Sequence, residues 1–235
     1  MYDATDFDHQ LVLTALKLEK QFSLNNYFGD DDHKLFQYKQ GVIPIIVSSP
    51  HAVKQVRNGF IKKSDIFTGS LAILLGNLTN CHVIYRTSTG NGDSNHDEIC
   101  EYKSFLLSKV SQHSLQCLID LHGIHKNRNL LIDVGTLNGL SINKRIEKII
   151  VNCFNEQNIY DVHFNCLYNA DKKGTVVKTI WQNTRVPSFQ LEINGYYRDI
   201  HKKDNWNNFK RLVKSLESLI LNLNYFFQSN KQFKN

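Results

Sequence analysis

The sequence predicts an α/β protein, a three-layer α/β/α arrangement in which a mixed, mostly parallel central sheet is covered by helices on both faces. Three observations lead there. Short apolar runs of strand length alternate along the chain with segments of helical period, the pattern of strands joined by crossover helices. The runs are nearly continuous in Val, Ile and Leu instead of alternating with polar residues, as strands buried on both faces require. Finally, His51, Arg86, His122 and Glu192 fall at or near the carboxyl ends of these runs, where such sheets bind ligands.

Residues 7–22 carry Phe7, Leu11, Ala15, Leu18 and Phe22 at intervals of three and four, the spacing of a helix packed along one face. Gly29-Asp30-Asp31-Asp32-His33 is a polar loop tip without the alternating ligands and closing Glu of a calcium-binding EF-hand. Val42 to Val47 is an apolar run ended by Ser48-Ser49-Pro50-His51-Ala52, so an interior strand delivers His51 to a loop at its tip. Ser64 to Gly69 precedes a helix-period run through Leu71, Leu74, Leu75 and Leu78; Asp65 is either its cap or a metal ligand. His82 to Arg86 is a short strand, and Thr87 to Asn95 is a loop of small and amide side chains, suited to close approach by a ligand or to a solvated connection.

A helix from Glu98 to about Val110 leads into the central strand 117–121, which ends in Asp120-Leu121-His122-Gly123. Two positions apart on a strand, Asp120 and His122 share a face, so the carboxylate either ligates beside the imidazole or orients it from behind. Asn129 to Thr136 is strand-like, Asn143 to Asn155 is helical with Ile146, Ile149, Ile150 and Phe154 inward, and Asp161 to Cys166 alternates as a half-buried strand. After the loop Asn169 to Gly174 and the segment Val176 to Trp181, the run Pro187 to Asn194 plants Glu192 in an apolar strand. A buried carboxylate is costly unless paired or used, so Glu192 either pairs with Arg198 or Arg86 or works chemically. Trp206 to Phe227 is a long helix packed on the sheet.

With 235 residues and 41% hydrophobic composition the chain is long enough for one sizeable core. We expect a single domain over 1–235, with its core at about 42–200 and a closing helix at about 204–228. No apolar run approaches the roughly 20 residues of a bilayer span, and the N-terminus is acidic where a secretory signal is basic and then apolar; a cytoplasmic protein without membrane association is expected. Five cysteines without CxxC spacing fit reduced, mostly buried thiols. The net charge of +6 resides mostly in residues 201–235, with seven Lys/Arg against two acids. Without a nucleic-acid-binding motif that concentration reads as a solvated helix face, so no nucleic-acid partner is expected.

Taken together, Ser49-Pro50-His51, Asp65 to Gly69, Gly92-Asp93-Ser94-Asn95, Asp120 to Gly123, Asp133 to Thr136 and Gln190 to Asn194 with Tyr197-Arg198 resemble the N-formylglutamate amidohydrolase family, over about residues 42–200 and in the expected order. That family is similar in fold to the zinc carboxypeptidases and aspartoacylases, an arrangement called phosphorylase/hydrolase-like. The resemblance implies a metal-dependent hydrolase of a C–N bond in an N-acylated amino acid or short peptide. It implies zinc on His51 and His122 and Glu192 as general base. Carboxypeptidase relatives carry an acidic ligand three residues after the first histidine; here Lys54 and then Gln55 stand there. Asp65 is the candidate replacement, with Asp120 behind it.

Two imidazoles and a carboxylate leave a tetrahedral zinc one open position. Arg86 or Arg198, or both, are candidates to clamp a substrate carboxylate, and Asn95 to bond to an amide, which points to a small anionic acyl-amino-acid or peptide substrate. A cell-wall peptide amidase or carboxypeptidase uses the same chemistry in a longer groove. The absent HxxE pattern also fits a non-catalytic ligand-binding homologue.

Overall fold

The computed structural model describes residues 4–30 and 34–232. A long helix α1 (Ala4–Tyr27) opens the chain; its regular part stops at Leu24, beyond which Asn25 and Asn26 adopt the left-handed conformation that asparagine tolerates at helix ends. Phe7 and most of the Gly29 to His33 loop lie outside the described side chains and residues. Next come β1 (Phe36–Lys39), β2 (Ile43–Ser49), a small hairpin of β3 (Gln55–Arg57) and β4 (Phe60–Lys62), α2 (Thr68–Thr79), β5 (Cys81–Arg86) and α3 (Glu101–Gln112). The second half holds β6 (Cys117–Ile124), β7 (Ile132–Gly135), α4 (Lys144–Asn155), β8 (Val162–Phe164), α5 (Val176–Thr184), β9 (Ser188–Asn194), the single turn α6 (Gly195–Arg198) and α7 (Trp206–Gln232).

Seven strands form one sheet in the order β1-β5-β2-β6-β9-β7-β8. The four central strands β5, β2, β6 and β9 run parallel, β1 is antiparallel to β5, and β7 and β8 run together against β9. The predicted mixed, mostly parallel three-layer architecture is what the structure shows. One face of the sheet carries α1, α2, α4 and α7 over the larger core, and the other carries α3 and α5 over a smaller one of Ile46, Ile84, Leu106, Leu118 and Ile180. α2 lies between the sheet and α1 and α7, so nearly all of its residues are buried and its periodicity is blurred.

Strand alternation explains where the chemistry sits. On the face toward α3 and α5, β2 and β6 turn from apolar to polar toward their carboxyl ends, Ile46 to Ser48 and Leu118 to Asp120 to His122, and β9 is polar on that face throughout, Ser188 to Gln190 to Glu192. The opposite face stays apolar through Ile119, Leu121, Leu191 and Ile193. Strand β6 runs on to Ile124 beyond the predicted end at residue 121, because β9 pairs with it in register from Leu118↔Ser188 to Ile124↔Asn194. That register sets His122 opposite Glu192.

Other differences have simple causes. The hairpin β3–β4 leaves no mark in the sequence, since two three-residue strands are too short to show a period. Asp65 does not cap α2: the cap position is Phe67, whose own side chain makes no cap bond. Only Val162–Phe164 of the expected 161–166 strand pairs, with β7, and Cys166 beyond it is exposed, whereas Cys81, Cys117 and Cys153 are buried and all five thiols are free. The C-terminal helix buries Phe209, Leu212, Val213 and Leu216 and exposes Arg211, as predicted for a solvated basic face. No helix among the described residues is long and apolar enough to cross a membrane.

Candidate metal centre and its cleft

Three backbone paths bring one acid and two histidines together. His51 sits in the turn after β2, and its carbonyl accepts from the Asp65 N–H at 2.8 Å, which lays the start of the α2 turn against it. His122 arrives on β6 next door, since β2 and β6 pair up to Ser48↔Asp120. The result is a buried triangle: His51 Nδ1 is 3.1 Å from His122 Nδ1 and 3.2 Å from Asp65 Oδ2, and His122 Nδ1 is 3.3 Å from the same oxygen. His51 and His122 are each 2% exposed.

Each corner is held from behind. His51 Nε2 donates to Asp93 Oδ1 at 2.8 Å, and the other Asp93 oxygen accepts from Arg57 Nε at 2.8 Å. His122 Nε2 donates to Asp120 Oδ2 at 3.0 Å. Asp65 keeps Oδ2 for the triangle while Oδ1 accepts from Lys62 Nζ at 3.0 Å. Both imidazoles thus turn Nδ1 inward and Nε2 toward a carboxylate, the arrangement that fixes tautomer and ring plane in metal-ligating histidines. Asp120 stands behind His122 and outside the triangle.

The donor set fits a metal ion. Atoms about 2.0–2.1 Å from a tetrahedral zinc stand roughly 3.3 Å from one another, close to the three observed edges. His51, Asp65 and His122 are also the group of potential ligands that converges among the described residues, their ligand atoms all within 4.8 Å of one another. Without a cation the two inward lone pairs would face each other, and the metal-free chain answers with a proton. Burial opposes charge on His122, but Asp120 and then Asp65 outweigh it and hold the imidazolium up to about 10. Burial likewise works against the Asp65 carboxylate, yet Lys62 and the two histidines hold it well below the usual range.

The triangle opens onto a cavity of about 280 Å³. Its floor includes Gln190 and Glu192, one wall is the β3–β4 hairpin with Arg57 and Lys62, and the other is the 167–175 loop. Glu192 is 8% exposed; burial, reinforced by Asp65 and opposed by His122, pushes its carboxyl up to about 7. Among the described residues it pairs with no arginine and accepts one long hydrogen bond from Gln190 Nε2, 3.4 Å. Asn95 lines the cavity, with its oxygen taking the Val176 N–H at 2.7 Å and its nitrogen 3.1 Å from His122 Nε2.

The two arginines expected near the substrate are placed elsewhere. Arg198 stands outside the cavity and donates to three carbonyls, Ile66, Ile193 and Ile124, so it ties the ends of β9 and β6 to the turn bearing Asp65. It uses the space left by Gly123, where a Cβ would meet the guanidinium at 2.4 Å. Arg86, which does not line the cavity, donates to the Thr89 carbonyl, and its buried Nε has no hydrogen-bond partner among the described residues. Asp93, Arg57 and Lys62 received no role from the sequence. Asp93 was the findable one, an acid in a Gly-rich loop beyond a strand tip. Asp133 is also structural, accepting the N–H groups of Cys166, Leu167 and Tyr168 at 3.0, 2.8 and 2.9 Å and so shaping the far wall.

No protein-family model matches the sequence, and no curated protein matches it. Among solved structures, the chain is similar in fold to the N-formylglutamate amidohydrolase of Ralstonia eutropha JMP134, with TM-score 0.59 and 13% identity over 83% of this chain and 98% of that one. It is similar to a bacteriophage poly-γ-glutamate hydrolase, with TM-score 0.57 and 16% identity over 85% and 93% of the two chains. A gene product of Agrobacterium tumefaciens gives TM-score 0.54 and 10% identity over 83% and 98%. At these identities the likeness is one of fold, and in fold it agrees with the family resemblance carried by the motifs.

Proposed function

We propose that the chain is a metal-dependent hydrolase of C–N amide bonds that acts on an N-acylated (N-formyl) amino acid or short peptide, with zinc held by His51, Asp65 and His122. The observation that supports this most is the joint placement of that triangle and of Glu192, a buried carboxyl raised to about 7, on one cavity. Two of the fold relatives are named a poly-γ-glutamate hydrolase and an N-formylglutamate amidohydrolase, which agrees with the reading.

Zinc bound there supplies Lewis acidity, polarising an amide carbonyl and acidifying water toward a pKa of about 7. Glu192 takes the proton of the attacking water and delivers it to the leaving nitrogen. Its raised pKa suits both halves of that task near neutral pH. Asn95 lines the cavity and, its oxygen being committed to Val176, has its amide nitrogen to offer a substrate in place of its 3.1 Å contact with His122 Nε2. Asp93 and Asp120 keep both imidazoles aimed inward throughout.

The test is amine release by the zinc-reconstituted chain from a panel of N-formyl and N-acetyl amino acids and cell-wall muropeptides. Turnover of an acylated amino acid or peptide that disappears in Glu192→Gln is the expected result. Full zinc occupancy with no turnover on any member would contradict the reading and leave a ligand-binding protein on this scaffold.

A further inference from the structure

The turn from Asp93 to Asp97 is closed by its own hydrogen bonds. The Asp93 carbonyl accepts from the N–H groups of His96 and Asp97 at 3.0 and 2.9 Å, and the Asp93 N–H donates to Asp97 Oδ2 at 2.7 Å. That oxygen occupies the space a side chain on Gly92 would need, 2.4 Å from where its Cβ would stand. The Asp93 oxygen that takes His51 Nε2 also takes the Asn95 N–H at 2.9 Å. The aim of this carboxylate, and with it the ring plane of His51, therefore follows the position of the whole turn.

A second loop packs against the first. Thr175 Oγ1 donates to the carbonyls of Ala170 and Lys172 at 2.6 and 3.1 Å, which folds the 170–175 wall of the cavity on itself. A Cβ on Gly174, at φ +88°, would meet the His96 carbonyl oxygen at 1.8 Å, and the Val176 N–H donates to Asn95 Oδ1 at 2.7 Å. One side chain reaches both loops from behind. Lys103, in the first turn of α3, is 1% exposed, and its ammonium donates to the carbonyl of Asp97 in one loop and of Gly174 in the other. A buried ammonium is unfavourable unless it is paired; here its partners are the turn that carries Asp93 and the wall of the cleft.

We propose that Lys103 is a positioning residue of the metal centre. By tying the Asp97 and Gly174 carbonyls to α3 it keeps the 93–97 turn, and through it Asp93, behind His51, and it makes the 170–175 wall respond to what His51 binds. The proposal rests on the reading of His51, Asp65 and His122 as zinc ligands, and its test needs neither a substrate nor turnover.

The test is a thermodynamic cycle on the full-length chain, with zinc affinity measured by chelator competition in the parent, Lys103→Met, Asp93→Asn and the double variant. Lys103→Met should weaken zinc roughly 10-fold, the low end for losing a group that orients a ligand. In the Asp93→Asn background it should cost less than about 2-fold more, because the orientation it serves is already gone. A lysine that only stabilises the fold would cost the same in both backgrounds; that result, or an unchanged affinity in Lys103→Met, would overturn the proposal. A second measurement needs no variant and decides the matter where Lys103→Met does not fold. Zinc loading of the parent should slow amide hydrogen exchange at Thr175 and Val176 as well as at Asn95 and Asp97. Protection confined to the 93–97 turn would show that the wall is not fastened to it and would equally overturn the proposal. A parent chain that binds no zinc would sink the metal centre itself, and this role with it, whereas the other adverse outcomes leave the metal centre standing.

Discussion

The Nδ1 atoms of His51 and His122 face each other at 3.1 Å while each ring turns Nε2 to a carboxylate, Asp93 or Asp120. A proton on one ring, or a metal ion bound to both with the third ligand atom Asp65 Oδ2 beside them, satisfies this facing pair. The carboxylates behind them prevent either ring from flipping away. The chemistry of the whole site depends on this pair of histidines.

Glu192→Gln should retain the metal and lose turnover by roughly 10²- to 10⁴-fold, the usual value of a positioned general base. The buried carboxyl must be ionised to accept a proton, so kcat/KM should rise with pH through about 7, the value to which burial lifts it. Steady-state kinetics from pH 5 to 9 with metal analysis of the same samples checks both statements. A fully active Glu192→Gln variant would remove Glu192 from the mechanism.

Asp93→Asn and Asp120→Asn each leave an imidazole without its anionic partner. Zinc affinity should fall roughly 10- to 100-fold in each, measured by competition with a chromogenic chelator. Affinities equal to the parent's would mean that the outer carboxylates do not orient the ligands.

Arg198→Lys should act on stability and not on substrate binding. The guanidinium serves three carbonyls with a fork that an ammonium cannot reproduce, and a buried carbonyl left unpaired costs about 1–3 kcal/mol. Chemical denaturation should show a loss of about 2–4 kcal/mol, with KM of the folded enzyme little changed. A raised KM at unchanged stability would restore Arg198 as a substrate clamp.

Glu19 is 3% exposed and accepts from Phe67 N at 2.8 Å and Ser70 Oγ at 2.7 Å, next to the Asp65 turn. Burial, only partly offset by these donors, raises its carboxyl from 4.5 to about 7. The folded state then binds the proton more tightly than the unfolded chain, so its contribution is fully present below pH 4.5. It is lost as pH rises toward about 7, to the extent of about 3 kcal/mol. Glu19→Gln should flatten the fall in stability between about pH 5 and pH 8, read from denaturation midpoints; Glu192 contributes a fall of the same sign that remains. An unchanged slope would show that Glu19 is ionised in the fold without penalty.

The parts legible in the sequence were those that depend on local pattern. Ile43–Ser49, Cys117–Ile124 and Ser188–Asn194 announce themselves as apolar runs, and His51, His122 and Glu192 stand out because polar groups at buried strand tips are expensive. Asp65 was reached because the position three residues after His51 is Lys54, which left an acid to be found elsewhere. The rest depends on side-chain direction and on pairs far apart in the chain. Arg57 meets Asp93 from 36 residues away, from a hairpin too short to show a period. Arg86 and Arg198 are long, flexible side chains whose partners are backbone carbonyls, which residue type does not reveal.

The most direct test of the metal centre is elemental analysis of the full-length chain, purified without chelator or histidine tag, beside His51→Ala and His122→Ala. A zinc content close to one per chain is expected in the parent, and little in either variant. A parent chain that holds no metal even after dialysis against zinc would contradict the assignment of His51, Asp65 and His122 as its ligands.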